Sequence, residues 1–258
     1  MTGYQTIDLR VEGPLATLTI NRPDHRNGMT NGMVREAHEA LCRVADDDAV
    51  RVLLLTGAGD TFCPGADLNW ISDVERDPEE GCEPYHFQVP ALLHSMPQLT
   101  VAGINGACAG AGFGWACGCD IRVANRRAML NTAFLNVAVA GDMGLPWSLP
   151  RLVGAAKARE LSFFTEKFSA EEAQRIGLVA RVYDDADYPA EVAALCDRLL
   201  GFSPTALKVM KAHYVAAETL SLEAYLDLET AAHLSIAAGP HAAEAFKAFI
   251  EKRKPDFD

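Results

Sequence analysis

Between Pro84 and Cys119 the chain carries no Asp, Glu, Lys or Arg, and the end of that run, "NGACAGAGFGWACGC", is made mostly of small residues. Gly106, Gly110, Gly114 and Gly118 recur at every fourth position. An uncharged stretch of this length must be buried, in lipid or in protein. Side chains this small imply that other groups pack close to its backbone. Glycines four apart also mark the packed faces of membrane helices, and the length alone permits a span. Against that, Pro90, Pro97, Gln98, Asn105, His86 and His94 interrupt the run, while glycine and alanine supply little transfer energy. The expectation is therefore no membrane span, but a buried strand, "LTVAGIN", followed by a tightly packed helix.

The rest of the chain supplies matching pieces. "PLATLTIN" alternates and reads as a strand over about residues 14 to 21. Val34, Ala37, Leu41 and Val44 mark one face of a helix. "VRVLLLTG" and "IRVAN" read as buried strands, and "TFCPGADL" as a turn leading into a short helix. Residues 72 to 86 are polar and broken by proline, which predicts a mobile surface loop forming one pocket wall. From Leu149 onward the pattern is mostly helical. Ser169 with Glu172 forms a capping box and Gly177 a stop; "GLVARVY" is a last short strand. Ser203-Pro204 and Ser221 open two further helices, and His241 to Glu251 form a final amphipathic one. Repetition of strand, glycine-rich turn and helix points to α/β layering, with a loose boundary near Gly201 and a helical tail whose apolar faces suit a neighbouring subunit.

Charge and cysteine usage exclude other classes. A formal net charge of −12 argues against nucleic acid as a partner, although an anionic small ligand needs only a local site. Seven cysteines without a regular framework suggest reduced thiols and a cytoplasmic location. Cys117 and Cys119 have no second ligand pair nearby, so no metal site is expected. The N-terminus, "MTGYQTIDLRVEG", has neither a basic start nor an apolar run, and no signal peptide is read from it.

Two turns could carry chemistry: Cys63-Pro64-Gly65-Ala66-Asp67-Leu68, and Ala109-Gly110-Ala111-Gly112. Each follows a buried strand and opens a helix. Amides at a helix start lack intrahelical acceptors and attract developing negative charge. Two such turns could aim two N–H donors at one oxygen, forming an oxyanion hole. On pattern alone, the same glycines would equally serve close helix–sheet packing.

Taken in order, "INRPDHRNGM", "FCPGADL", "VAGINGACAGAGFGWACGCDIRVA", "LPRLVGAAKARELSF" and "FSAEEAQRIGLVARV" resemble the enoyl-CoA hydratase/isomerase (crotonase) superfamily over nearly the whole chain. The resemblance implies a crotonase-like α/β spiral of ββα units over residues 1–200, holding an oxyanion hole and a coenzyme A site. It also implies a helical region over 201–258 that builds a homotrimer or a dimer of trimers. The implied substrates are acyl-CoA thioesters, with coenzyme A entering as part of the substrate and no tightly bound cofactor. Carried over by motif, the oxyanion donors are the amides of Ala66 and Ala111. His25 and Arg26 would meet the nucleotide end of coenzyme A, Pro64, Asp67, Leu68 and Gly110 would line its site, and Asp67 and Leu68 would act mainly through backbone. Phe134, Leu135, Val139 and Trp147 would shape the acyl pocket, while Phe246, Lys247 and Phe249 would reach a neighbour's ligand.

The chain departs from the family's hydratases at two positions. Those enzymes use two glutamates, and the corresponding positions here are Gly114 and Phe134. From Tyr85 through Asp142 the only carboxylates are Asp120 and Asp142. Asp120 is read as structural. Asp142, in "VAGDMGLPW", matches a loop that carries the working aspartate in some double-bond isomerases and a dehalogenase of the family, although Gly141-Asp142 also suits a plain turn. One carboxylate that takes a proton at one carbon and returns it at another suits isomerisation better than water addition. Hydration without the usual glutamates, and a non-catalytic coenzyme A-binding or scaffold role, remain the alternatives. His86 and His94 are lesser candidates, and Cys63 is read as packing because no base is identifiable beside it.

Overall fold

The computed structural model describes residues 3–73 and 81–257. The chain opens with an antiparallel hairpin, β1 (Ile7–Glu12) and β2 (Leu15–Ile20), in which Ala16, Leu18 and Ile20 point inward. Helix α1 (Asn31–Ala45) begins where the Thr30 hydroxyl accepts a hydrogen bond from the Met33 amide at 3.2 Å, a side-chain cap on a free helix amide. Val34, Ala37, Leu41 and Val44 all lie on its buried face, as their spacing requires.

Two ββα units follow. In the first, β3 (Val52–Gly57) leads to β4 (Thr61–Cys63) and α2 (Leu68–Ser72); in the second, β5 (Leu99–Ile104) leads to β6 (Ala107–Ala109) and α4 (Gly110–Gly118). Helix α3 (Val89–Ser95) precedes β5, and the strands β7 (Ile121–Asn125) and β8 (Met129–Asn131) begin a third unit. The first strand of each unit joins a six-stranded sheet in the order β1-β2-β3-β5-β7-β10, with β10 being Arg181–Tyr183. The second strand joins a four-stranded sheet, β4-β6-β8-β9, with β9 being Phe168–Ser169. This is the expected spiral. The segment "TFC", read as part of a turn, is strand β4, because fully buried Phe62 and Cys63 place it between β6 and the core.

Each unit needs a sharp corner between its two strands. At Gly106 an added Cβ would lie 1.8 Å from the Asp60 carbonyl oxygen, so only glycine fits. Asn105 fastens the same corner, with its Nδ2 donating to the carbonyls of Gly57 at 2.9 Å and Gly59 at 3.0 Å. The central strands are buried on both faces. Leu53, Leu55, Ala102 and Ile104 face the main core, while Val52, Val101 and Val123 face α8 (Tyr188–Leu200). Two-sided burial explains why β3 and β5 read as continuous apolar runs.

The remaining helices are α5 (Leu145–Val153), α6 (Ala155–Phe164), α7 (Ala170–Arg175), α9 (Pro204–Ala217), α10 (Leu222–Ala237) and α11 (Pro240–Glu251). Ser169, Ser203 and Ser221 cap α7, α9 and α10. The box at α7 closes on one side only: Ser169 accepts from the Glu172 amide, while the Glu172 carboxylate pairs with Arg175 at 2.6 Å. Asp120 is structural, as expected. It accepts from the Thr100 amide at 2.7 Å and from buried Lys211 of α9 at 2.8 Å. The Lys211 ammonium also donates to the Leu93 and Gln98 carbonyls at 2.9 and 2.8 Å, so all three of its protons are used. Beyond α9, Leu222, Leu234, Phe246, Phe249 and Ile250 are exposed. No helix of the described residues is long and apolar enough to cross a membrane.

The polar stretch read as a mobile loop lies partly outside the described residues, which omit 74–80. Its end is structured. Pro84–Gln88 form a 3-10 helix in which His86 is buried, with His86 Nδ1 accepting from the Glu83 amide at 2.9 Å. The His86 ring packs on Tyr85 and on His38 of α1, so it acts there as packing.

Candidate active site

All nine residues of α4 are buried, and its glycines are met most closely by three segments: the Cys63–Leu68 turn, α3, and the loop before α5. Added Cβ atoms would lie 2.4 Å from the Cys63 carbonyl oxygen at Gly112, 2.6 Å from Met143 Cβ at Gly114 and 3.0 Å from Pro90 Cα at Gly118. At Gly110, which has φ +50°, the nearest atom is Gly65 Cα at 3.6 Å. The two turns singled out in the sequence are therefore in backbone contact.

Each amide has a reason to be free. Gly65 O accepts from the Met29 amide at 2.8 Å, and the Asp67 amide donates to Met29 O at 2.9 Å. Alternate groups of an extended segment point to opposite sides, so the intervening Ala66 N–H points away from Met29. Ala111 is the second residue of α4 and follows extended Ala109, which leaves its amide without an intrahelical acceptor. Its nitrogen lies 3.6 Å from the position a Cβ would take on Gly65, whose φ is +101°.

Ala66 faces a cleft of about 640 Å³ that also collects His25, Arg26, Pro64, Asp67 and Leu68 from the sequence reading. His25 and Arg26 are exposed at its rim, together with Lys167, which the sequence reading missed. Lys167 follows α6 and is remote in sequence from the other two, so no local pattern could have flagged it. The Asp67 side chain is turned to structure. It caps α2 by accepting from the Trp70 amide at 3.2 Å and pairs with Arg22 at 2.9 Å. Burial works to raise the Asp67 pKa, but the Trp70 amide and the Arg22 guanidinium outweigh it and hold the carboxyl below its usual range.

Phe134 and Leu135 stand in a second, apolar cleft of about 330 Å³ with Leu145, Pro146, Leu149 and Phe163. The 3-10 turn Phe134–Val137 is a partition, since Ala133 and Asn136 face the first cleft while Phe134 and Leu135 face the second. The Phe134 ring comes within 3.8 Å of the Gly110 Cβ position, at the start of α4. Trp147 does not join it. It lies beneath the Arg151 guanidinium, 3.8 Å from ring centre, with His94 edge-on, because α5 turns that face toward α3 and α9. His94 itself pairs with Glu218 at 3.2 Å.

Asp142 lines neither of the two clefts, but its loop lies across α4. Met143 occupies the space beside Gly114, one helical turn beyond Ala111 and about 4.5 Å along the axis. Asp142 is half-buried, and its Oδ1 accepts from the Met143 amide at 2.7 Å. Burial raises its pKa above the ordinary carboxylate value, opposed by that amide. The Cys63 thiol beside the turns is fully buried and pushed up to about 12 by burial, which removes it as a nucleophile.

A sequence profile described as enoyl-CoA hydratase/isomerase matches residues 10–258. The chain belongs to the enoyl-CoA hydratase/isomerase family. It is 36% identical over 252 residues to the 1,2-epoxyphenylacetyl-CoA isomerase of Escherichia coli (strain K12), covering 96% of each chain. It is 31% identical to the crotonyl-CoA hydratase of Syntrophomonas wolfei, covering 98% of both. The fold superimposes on a crystal structure of an enoyl-CoA hydratase from Bacillus anthracis with TM-score 0.88 at 26% identity, covering 98% of this chain and 99% of that one. The protein is thus an enzyme of a family that acts on acyl-CoA thioesters, and relatives on this same scaffold carry both isomerase and hydratase names.

Proposed function

We propose that this enzyme shifts a double bond in an acyl-CoA thioester through an enolate, with Asp142 as the proton carrier. The observation that carries the reading is the space beside Gly114. The family's hydratases place a glutamate at that position, and here Met143 Cβ lies 2.6 Å from where any side chain would begin. The loop bearing Asp142 has taken that volume, and among the described residues it brings one carboxylate to this side of α4 where water addition uses two.

The steps balance around one base. The thioester carbonyl of a 3-enoyl-CoA sits between the amides of Ala66 and Ala111. Asp142 removes a proton from C2, and the electron pair spreads over the dienolate and onto the thioester oxygen, where the two amides stabilise it. The protonated Asp142 returns the proton at C4, the double bond forms between C2 and C3, and no atom is gained or lost. Donors of this kind act where charge develops, and each is worth about 2.7–4 kcal/mol in comparable holes. The raised pKa of Asp142 brings the acid and base forms closer in energy at neutral pH, as reversible transfer needs. Coenzyme A enters as part of the substrate. His25, Arg26 and Lys167 rim the larger cleft with groups suited to its phosphates, and Asp67 and Leu68 line the same cleft, where their backbone would meet the nucleotide.

The test is proton exchange and isomerisation in deuterated water. Wild-type enzyme should exchange the C2 protons of butyryl-CoA and convert a 3-enoyl-CoA to its conjugated isomer. Asp142→Asn should lose both. Unaltered exchange in that variant would remove Asp142 from the mechanism, and rapid hydration of crotonyl-CoA by wild-type enzyme would replace isomerisation with water addition.

A further inference from the structure

We infer that Met143 is a positioning residue for Asp142, its side chain wedged over Gly114 so that one carboxylate oxygen is tied down and the other is left to work. The inference rests on the reading of Asp142 as the proton carrier.

The argument begins with backbone geometry. Gly141, Met143 and Gly144 all have positive φ, at +139°, +47° and +67°. Glycine adopts such angles freely, whereas a side chain there costs about 1–2 kcal/mol. A methionine between Asp142 and Gly144 at such an angle is therefore held in place by something that outweighs the strain. The source is burial: Met143 is 4% exposed, and its Cβ and carbonyl oxygen lie 2.6 and 2.7 Å from the Cβ position of Gly114.

Two more contacts complete the clamp. Pro146 of α5 comes within 2.6 Å of the Gly141 Cβ position, and Pro90 of α3 within 3.8 Å of the Gly144 one. The four-residue loop is thus pressed between three helices, with Met143 as its only deeply buried side chain. From that fixed point the Met143 amide donates to Asp142 Oδ1, and Oδ2 has no partner among the described residues. No sequence signal marks Met143, because its importance lies in Gly114, 29 positions away.

The test separates the side chain from the amide. Met143→Gly keeps the amide and the carbonyl against Gly114 and relieves the positive φ, so it removes only the buried side chain, while Met143→Leu refills the space. The readouts are kcat and KM for C2 exchange of butyryl-CoA across pH, and the carboxyl titration of Asp142 followed by carbon NMR, assigned with Asp142→Asn. In Met143→Gly, kcat should fall about 10- to 100-fold, as a misplacement near 1 Å does, with KM within about twofold. The acid limb and the Asp142 titration should both move to lower pH as the carboxyl is hydrated, and Met143→Leu should restore both. An unmoved Asp142 titration in Met143→Gly overturns the inference, whether or not kcat falls. If wild-type enzyme shows no exchange but the Asp142 titration still shifts in Met143→Gly, the positioning stands and the proposed reaction fails.

Discussion

Replacing Gly65 with alanine tests the pair of amides on which the proposed reaction depends. The added methyl would stand 3.6 Å from Ala111 N and 3.2 Å from the Ala109 carbonyl oxygen. A bound oxyanion must approach the same nitrogen to about 2.7–3.1 Å. A methyl carbon and an oxygen need a little over 3 Å between them, so the methyl competes with a bound oxygen for the approach to Ala111; Pro64 and Ala66 on either side of it line the nucleotide cleft, which makes coenzyme A affinity the necessary control. Loss of one donor predicts a fall in kcat/KM of about 10²–10³, or about 2.7–4 kcal/mol of transition-state stabilisation. Folding also suffers, since φ at this residue is +101°, and the destabilisation should be about 1–2 kcal/mol. The assay is C2 exchange of butyryl-CoA, with denaturant unfolding and coenzyme A affinity measured on the same preparation. A folded Gly65→Ala enzyme that exchanges within about threefold of wild type would show that Ala111 N does not face the thioester oxygen, and the enolate mechanism would go with it.

Asp142 also sets a pH dependence of stability. Its pKa is raised in the folded chain, so the folded state binds the proton more tightly than the unfolded state, and stability falls as pH rises from the ordinary carboxylate range through the raised value. Asp142→Asn should therefore be inactive yet more stable than wild type at neutral pH, with the gain shrinking in acid; equal denaturation midpoints at both pH values would contradict this. For the cationic rim, Arg26→Ala and Lys167→Ala should each raise KM for acyl-CoA about three- to tenfold with kcat nearly unchanged, and the effect should vanish with an acyl-pantetheine substrate that lacks the nucleotide. Equal losses on both substrates would place these residues outside nucleotide binding.

The fold was legible because its signals are local. Alternation in "PLATLTIN", the apolar face of α1 and the serine caps of α7, α9 and α10 each depend on a handful of neighbouring residues. Strand β4 was hidden within a turn motif because three residues cannot show a period. The resemblance groups Trp147 with Phe134 and Leu135, and the rotation of α5 puts it in a different cleft from those two. Lys167 and Met143 carried no signal, since each matters through residues far away in the chain.

The sequence, with the family resemblance it carries, determined that Gly114 and Phe134 stand where the hydratases have glutamates, that two glycine-rich turns open helices, and that Asp120 and Asp142 are the carboxylates between Tyr85 and α5. Only the tertiary structure decided that the turns touch and that Met143 fills the place of the missing carboxylate. The reason is range. Residue identity and helix starts are written in consecutive positions, whereas whether a glycine is free space or a socket depends on which distant atom arrives there, and that is settled only when the units close on one another.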